Sequence, residues 1–234
     1  MTAKIEKLSV FFPAYNEEAN IEKTVVDAKK VLERIADKWE IIVVNDGSAD
    51  KTLKIAKGLS EKDKRIKVVN HKENKGYGEA LKSGFYSSKY PWIVTTDADG
   101  QFDFSEVTKL YKKTDKAQVV IGYRLDRKDP AIRLFFGWGW TLLANLLLGI
   151  NVKDVDCSFK LVKKEVIDKI PRLESTRGGM ISPELLAKAK KEGFTIDQVG
   201  VHHYARLAGH QTGADINVIL KSFIDLIKLW KEIR

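Results

Sequence analysis

Thr95-Thr96-Asp97-Ala98-Asp99-Gly100-Gln101-Phe102 is the stretch on which the fold of this chain turns. Residues 90–94 before it form an aromatic and β-branched run that reads as a buried strand. An open α/β sheet places its ligands at the ends of such strands. In extended backbone, Asp97 and Asp99 project to the same face, because strand side chains alternate with period two. One carboxylate can then hold a divalent cation while the other orients a ligand beside it. Gln101 adds a neutral oxygen on that face, and hard cations such as Mg²⁺ or Mn²⁺ take oxygen ligands. Taken alone, the stretch would read as a solvated acidic turn, since Asp and Gly are ordinary loop residues.

The flanking sequence decides between the two. Residues 8–12 read as a first strand ended by Pro13, and Asn16 is a plausible N-cap for the helix that follows. That helix runs to about Asp37, with Ile21, Val25, Ala28, Leu32 and Ile35 on one face. Strands follow at 40–44 and 66–69, separated by a helix from Lys51. A helix through Leu81 and Phe85 then leads to the acidic stretch. This alternation predicts a mostly parallel sheet flanked by helices on both faces. Each strand ends in a polar or glycine-bearing loop: Tyr15 to Glu17, Asp46 to Asp50, Lys75 to Gly78, and Asp97 to Gln101. All four fall on the ligand-binding edge of one sheet.

Composition narrows the function. The chain has 234 residues, 44% hydrophobic and 31% charged, enough for one large or two small globular domains. The single Cys157 excludes a disulfide within the chain and a cysteine-built zinc site, which makes a reducing compartment the expectation. The first residues run almost at once into a strand interrupted by Lys4, Glu6 and Lys7, unlike a signal peptide. A net charge of +9 calls for an anionic partner. No nucleic-acid motif is present, so nucleotide phosphates or a membrane surface are favoured over nucleic acid. Neither a Gly-x-Gly-x-x-Gly nor a Walker loop is present, which counts against a dinucleotide enzyme or a P-loop NTPase.

Pro13-Ala14-Tyr15-Asn16-Glu17, Asn45-Asp46-Gly47-Ser48, Asn74-Lys75-Gly76-Tyr77-Gly78 and Asp97-Ala98-Asp99-Gly100-Gln101 together resemble the family 2 glycosyltransferases of the GT-A fold. The likeness is greatest to the dolichyl-phosphate mannose synthase and polyprenyl-phosphate glycosyltransferase branch, and it covers residues 8 to 210 in order. It implies a nucleotide-sugar donor, with Pro13, Tyr15, Glu17, Asp46, Lys75 and Gly76 around the nucleotide. Asp97 would lie near the ribose and sugar, and Asp99 and Gln101 on the metal. Gly100 departs from the larger apolar residue often found there, and leaves the metal ligands intact.

The second half carries specificity. After a strand at 119–122, Tyr123-Arg124-Leu125-Asp126-Arg127-Lys128 resembles the family's Gly-x-Arg segment, which makes Arg124 a candidate for an acceptor phosphate and Arg133 a second. Guanidinium groups grip phosphate bidentately. Residues 134–150 carry no charge, but with Gly137, Gly139, Thr141 and Asn145 among them they fall short of a membrane span. They read either as a core helix or as one lying at a membrane surface on Trp138 and Trp140. The family comparison favours the surface, because a lipid phosphate approaches here in related synthases.

Asp154-Val155-Asp156-Cys157-Ser158-Phe159-Lys160-Leu161 resembles the family's Asp-x-x-x-Ser-Phe-Arg-Leu, with Cys157 on a usual Gly and Lys160 on a usual Arg. Asp154 or Asp156 would be essential for an alcohol acceptor. A phosphate acceptor is already anionic and needs positioning more than a base. Arg177-Gly178-Gly179-Met180 reads as a loop before a helix that starts at Ser182-Pro183-Glu184; Glu184 resembles the family's acidic residue here, which implies an approach to the acceptor, the alternative being a charge at a helix N-terminus. A strand at 195–202 leads to a loop resembling the family's Arg-x-x-Gly-x-Ser, with Gln211 and Thr212 at small-polar positions. This implies Arg206 on the donor diphosphate and closure through Gly209 and Gly213. His202 and His203 point to opposite faces of a strand, so at most one is a metal ligand. Residues 214–234 form a C-terminal amphipathic helix after the 1–213 GT-A domain, with Ile216, Ile219, Leu220, Phe223, Ile227, Trp230 and Ile233 on one face. The domain itself, a second subunit in a homo-oligomer, or the bilayer would cover it.

The reading is a metal-dependent inverting hexosyltransferase, with Asp97, Asp99, Asp154 and Arg206 as catalytic candidates. It would move sugar from a UDP- or GDP-sugar to a polyprenyl phosphate, peripheral at the cytoplasmic membrane face. The alternatives are the same fold with a soluble or glycan acceptor, and a non-catalytic nucleotide-sugar or membrane-binding scaffold.

Overall fold

The computed structural model describes residues 4–127, 131–176, 178–206 and 216–233, except for the side chains of residues 131, 133 and 216–221. Its first half follows the alternation legible in the sequence: β1 (Ile5–Ala14), α1 (Ile21–Ile35), β2 (Ala36–Asp46), α2 (Thr52–Lys62), β3 (Ile66–His71), α3 (Tyr77–Ser87) and β4 (Trp92–Thr95). A 3-10 turn at Phe104–Glu106 and α4 (Val107–Tyr111) lead to β5 (Val119–Leu125) and α5 (Ala131–Leu148). Then come β6 (Lys160–Lys163), α6 (Lys164–Lys169), α7 (Gly178–Lys191), β7 (Ile196–His202) and α8 (Ile216–Ile233).

Seven strands form one sheet in the order β3-β2-β1-β4-β6-β5-β7. All neighbours are parallel except β6, which runs antiparallel to both β4 and β5. Both alternating positions of β1 and β2 are buried from Leu8 to Ala14 and from Trp39 to Asp46, which requires helices on both sheet faces. On α1, Ile21, Val25, Ala28 and Leu32 are buried, on the expected face.

Several boundaries differ from the sequence reading. β1 runs through Pro13, which pairs in register with Val44 rather than ending the strand. Asn16 is not the N-cap of α1. It adopts a left-handed φ of 55° and ties two loops together, its N–H donating to Ser48 Oγ (3.0 Å) and its Oδ1 accepting from Ala49 N (2.8 Å). α7 begins at Gly178, so Pro183 lies inside the helix. Among the described side chains of α8, Ser222, Leu226 and Leu229 are buried and Trp230 and Ile233 pack on the core as expected, while Phe223 and Ile227 are exposed; Ile216, Ile219 and Leu220 lie outside the described side chains. That helix is apolar over more than one face, so periodicity alone could not fix its rotation.

One contact in the core sets a sharp constraint. A Cβ at Gly84 of α3 would lie 2.2 Å from the Phe11 ring, which itself packs edge-on against Phe85 at 4.9 Å. Gly to Ala inside a helix usually gains up to about 1 kcal/mol. Here overpacking wins, and Gly84→Ala is expected to cost about 1–3 kcal/mol. That is a melting temperature lower by about 2–4 °C per kcal/mol at this size; an unchanged melting temperature would contradict the packing.

Candidate functional site

The acidic stretch lies where β4 ends. The strand stops at Thr95 and residues 98–99 form a turn, so the two carboxylates are presented by a turn rather than by extended backbone. Asp99 is buried; its Oδ1 accepts from Gln101 N (3.1 Å) and its Oδ2 from Arg206 Nη2 (2.8 Å). Arg206, which follows β7, also reaches Glu17 Oε1 at 3.3 Å. Glu17 in turn accepts from Asn20 Nδ2 at 2.7 Å. Asp97 accepts the Tyr77 hydroxyl at 2.7 Å. Thus residues from the ends of β1, β4 and β7 and the start of α3 meet at one point.

The electrostatics follow from this crowding. Burial, then the neighbouring Asp99 charge, raises the pKa of Asp97, against the Tyr77 hydrogen bond that lowers it. Burial also lifts Glu17, opposed by Asn20 and Arg206. Three carboxylates held together with one guanidinium make a site that favours a cation. The Gln101 amide nitrogen donates to the Tyr204 carbonyl (2.9 Å), so the other polar atom of that amide is an acceptor oxygen. Asp99 and Gln101 thus offer two hard oxygens, a set that suits a cation completing its shell with water and phosphate rather than an all-protein cage. No group of three His, Cys, Asp or Glu forms a metal site among the described residues. His202 is held by Glu106 (Nδ1 to Oε1, 2.7 Å), and the His203 ring packs on Phe102.

Asp46 is engaged with its own protein. It accepts from Lys75 N (3.0 Å) and Gly76 N (2.9 Å), and its Oδ1 lies 2.6 Å from His71 Nδ1. His71 Nε2 is 2.9 Å from Ser83 Oγ. The order Ser83, His71, Asp46 mimics a nucleophile triad. Ser83, however, sits in the interior of α3, where the neighbouring N–H groups are engaged in helix bonds and form no oxyanion hole. Asp46 therefore fastens the 75–76 loop. Pro13 lies within β1, and Tyr15 and the Lys75 side chain are exposed beside these groups.

A second cluster adjoins the first. Arg124 grips Asp154 bidentately, Nε to Oδ2 at 2.6 Å and Nη2 to Oδ1 at 2.8 Å, with Arg124 N on Oδ2 at 3.2 Å. Burial pushes Asp154 up, but these bonds and the guanidinium charge bring it below the ordinary carboxylate range. Asp156, half-buried, is pushed up to about 6 by burial and then by Asp154. Lys160 pairs in register with Thr95 on one side and Ile121 on the other, its Nζ on the Cys157 carbonyl. Burial lowers its pKa against the pull of the Asp97, Asp154 and Asp156 charges. Arg133 belongs to α5, but its side chain lies outside the described residues, as do Gly209, Gln211, Thr212 and Gly213.

Glu184 is committed to partners within the protein. It is buried, with Oε1 accepting from Glu174 N (2.8 Å) and Lys188 Nζ (2.6 Å) and Oε2 from Ser175 N (2.8 Å). α5 is half core and half surface. Ala144 and Leu148 are buried, while Phe135, Phe136, Trp138, Leu142 and Leu146 are exposed, Leu146 at 73%. The polar residues inside its apolar run fasten it to the 152–156 segment. Asn145 bonds Val152 twice (2.7 and 2.9 Å), and Thr141 Oγ1 accepts from Val155 N at 3.4 Å. No helix among the described residues is long and apolar enough to cross a membrane.

Sequence reasoning gave no role to Tyr77 or His71. The register pairs Asp46 with His71 at the ends of neighbouring strands, a signal visible only once pairing is known.

Residues 9–171 match the profile of Glycosyl transferase family 2. The chain is 30% identical to the dolichyl-phosphate beta-glucosyltransferase ALG5C of Trichomonas vaginalis, over 93% of this chain and 68% of that protein. It is 29% identical to an undecaprenyl-phosphate 4-deoxy-4-formamido-L-arabinose transferase of Salmonella choleraesuis, over 73% of this chain and 53% of the relative. Among solved structures, glucosyl-3-phosphoglycerate synthase from Mycobacterium tuberculosis, in complex with Mn²⁺, uridine diphosphate and phosphoglyceric acid, superposes with a TM-score of 0.73 at 21% identity. It covers 97% of this chain and 78% of that one.

Proposed function

The chain belongs to Glycosyl transferase family 2 and has the GT-A fold, and from that premise we propose that it transfers a hexose from a UDP- or GDP-sugar to a polyprenyl phosphate at a membrane surface. The observation that carries the acceptor class is the exposed apolar face of α5 beside the second charged cluster. Arg127 Nη1 lies 3.3 Å from a Cβ built on Gly137, so a guanidinium abuts the helix that bears Phe135, Phe136 and Trp138. An isoprenoid chain against that face would bring its phosphate to Arg127 and Arg124. The relatives named for dolichyl and undecaprenyl phosphates support this reading, as does a net charge of +9, which an anionic bilayer would attract.

Within the site, Arg206 would turn from Asp99 and Glu17 to the donor diphosphate. Asp97, steadied by Tyr77, would orient the ribose and sugar. Asp99 and the Gln101 carbonyl would hold Mg²⁺ or Mn²⁺, whose contribution when bound is to neutralise charge on the departing nucleotide. A phosphate acceptor is anionic at pH 7, since its second pKa is about 6. Asp154, committed to Arg124, then positions that guanidinium rather than acting as a base.

The raised pKa of Asp156 favours a second reading, in which the acceptor is an alcohol and Asp156 takes its proton. The test is label transfer from a panel of UDP- and GDP-sugars, with Mn²⁺, into undecaprenyl phosphate or soluble alcohols. Label in lipid is expected, with Asp156→Asn retaining transfer within about tenfold. Label only in a soluble product, with a rate that rises through pH about 6 and is flattened in Asp156→Asn, would replace the lipid reading with the second. No turnover of any donor would leave a non-catalytic scaffold.

A further inference from the structure

We propose that Glu184 is a positioning residue for the donor nucleotide, acting through the segment at 172–176 that clamps the loop at 74–78 against the site; this rests on the nucleotide-sugar reading above. Glu184 lies at the second turn of α7 and is 1% exposed, so its carboxylate needs full compensation. It finds that in Lys188 and in the backbone N–H groups of Glu174 and Ser175. Lys188 also donates to the Arg172 carbonyl at 2.7 Å, so one buried ion pair fixes three residues of the segment.

The segment is riveted to α3 along its length. Leu173 N donates to the Tyr86 hydroxyl (3.1 Å), and Lys82 Nζ to the Glu174 carbonyl (3.2 Å). Gly78 N donates to the Thr176 carbonyl at 3.0 Å. The approach is so close that a Cβ on Gly78 would sit 2.5 Å from the Ser175 oxygen and 2.6 Å from the Thr176 carbonyl carbon. On its other side the same loop is tied by Lys75 N and Gly76 N to Asp46. Between the two ties stands Tyr77, whose hydroxyl meets Asp97. The loop is therefore held from both ends, and its central residue touches the carboxylate assigned to the sugar. Releasing the α7 end frees Tyr77 to leave Asp97, although Glu184 itself touches no part of the site.

Glu184→Gln and Gly78→Ala loosen the clamp from opposite ends and test it. Each is expected to weaken binding of UDP or GDP with Mg²⁺, measured by calorimetry, about tenfold. The double variant should be no weaker than the worse single one, because both act through one contact. In the ligand-free protein, amide exchange at Ser175 and Gly78 should quicken at least about tenfold in Glu184→Gln. Unchanged nucleotide affinity in both variants, or losses that add in the double variant, would overturn the proposal. If Glu184→Gln does not fold, Gly78→Ala alone carries the affinity arm. Wild-type protein that binds neither nucleotide would remove the nucleotide-sugar reading, and quickened exchange would then show a clamp without the assigned role. Exchange left unchanged would remove the clamp as well.

Discussion

Asp99→Ala is expected to lower sugar transfer by about 10³-fold or more while leaving the fold intact. Among the described residues the side chain bonds Arg206 and the Gln101 N–H, and neither bond holds secondary structure together. Arg206 keeps Glu17, and Asp97 loses the neighbouring charge that helps to raise its pKa, so relief of repulsion offsets the lost ion pair. The melting temperature should move by no more than about 2 °C, corresponding to roughly 0.5 kcal/mol. Asp99→Asn, which keeps an oxygen for the Gln101 N–H but lacks the charge, should fall nearer the alanine variant than the wild type. Initial rates at saturating donor with and without added Mn²⁺ decide the matter. Transfer within tenfold of wild type in metal-free buffer would remove Asp99 from the mechanism.

The largest effect on stability is expected at Arg124. Arg124 and Asp154 are buried together, their side chains 12% and 11% exposed, so solvent screens the pair little. Truncating one partner leaves the other charge buried and uncompensated, which costs about 3–5 kcal/mol. The sign with pH follows from linkage. Asp154 has a folded pKa below its ordinary value, so the pair's contribution is fully present above the unfolded pKa of about 3.9. It is lost as pH falls through the folded value. In Arg124→Ala, Asp154 is buried without its guanidinium and its pKa rises, so the variant is relieved as acid protonates it. The difference between wild type and variant in urea denaturation should therefore be largest at pH 7 and shrink towards about pH 4. A cost that does not vary over that range would mean that Arg124 contributes packing and not charge.

The first half of the molecule was legible because local rules and tertiary structure agree there. The 3.6-residue spacing of Ile21, Val25, Ala28 and Leu32 names the face that is buried. The loops at Glu17 and Asp99 meet as strand ends of a parallel sheet must. What was hidden depends on register and on competition for hydrogen bonds. Asp46 and Glu184 read as ligand-facing acids, yet both are taken up by backbone N–H groups of segments distant in sequence. Arg124 and Asp154 lie 30 residues apart in sequence, and no spacing rule shows that they are bound to each other. α5 could not be settled as core or surface from its apolar run. It is both, and Thr141 and Asn145 mark the side that is fastened.

The reversed β6 also bears on how the chain can assemble. β5 reaches β4 only through β6, and its other neighbour is β7, so β5 is synthesised before either strand it pairs with exists. The β3-β2-β1-β4 half can close its ladders as it emerges from the ribosome. The free edge of β4 and the whole of β5 must wait for residues 160–163. An unpaired, fully apolar strand such as Val119-Val120-Ile121 is the kind of segment that seeds intermolecular pairing. Nascent chains truncated between β5 and β6 should therefore need chaperone cover that chains extending past β6 do not.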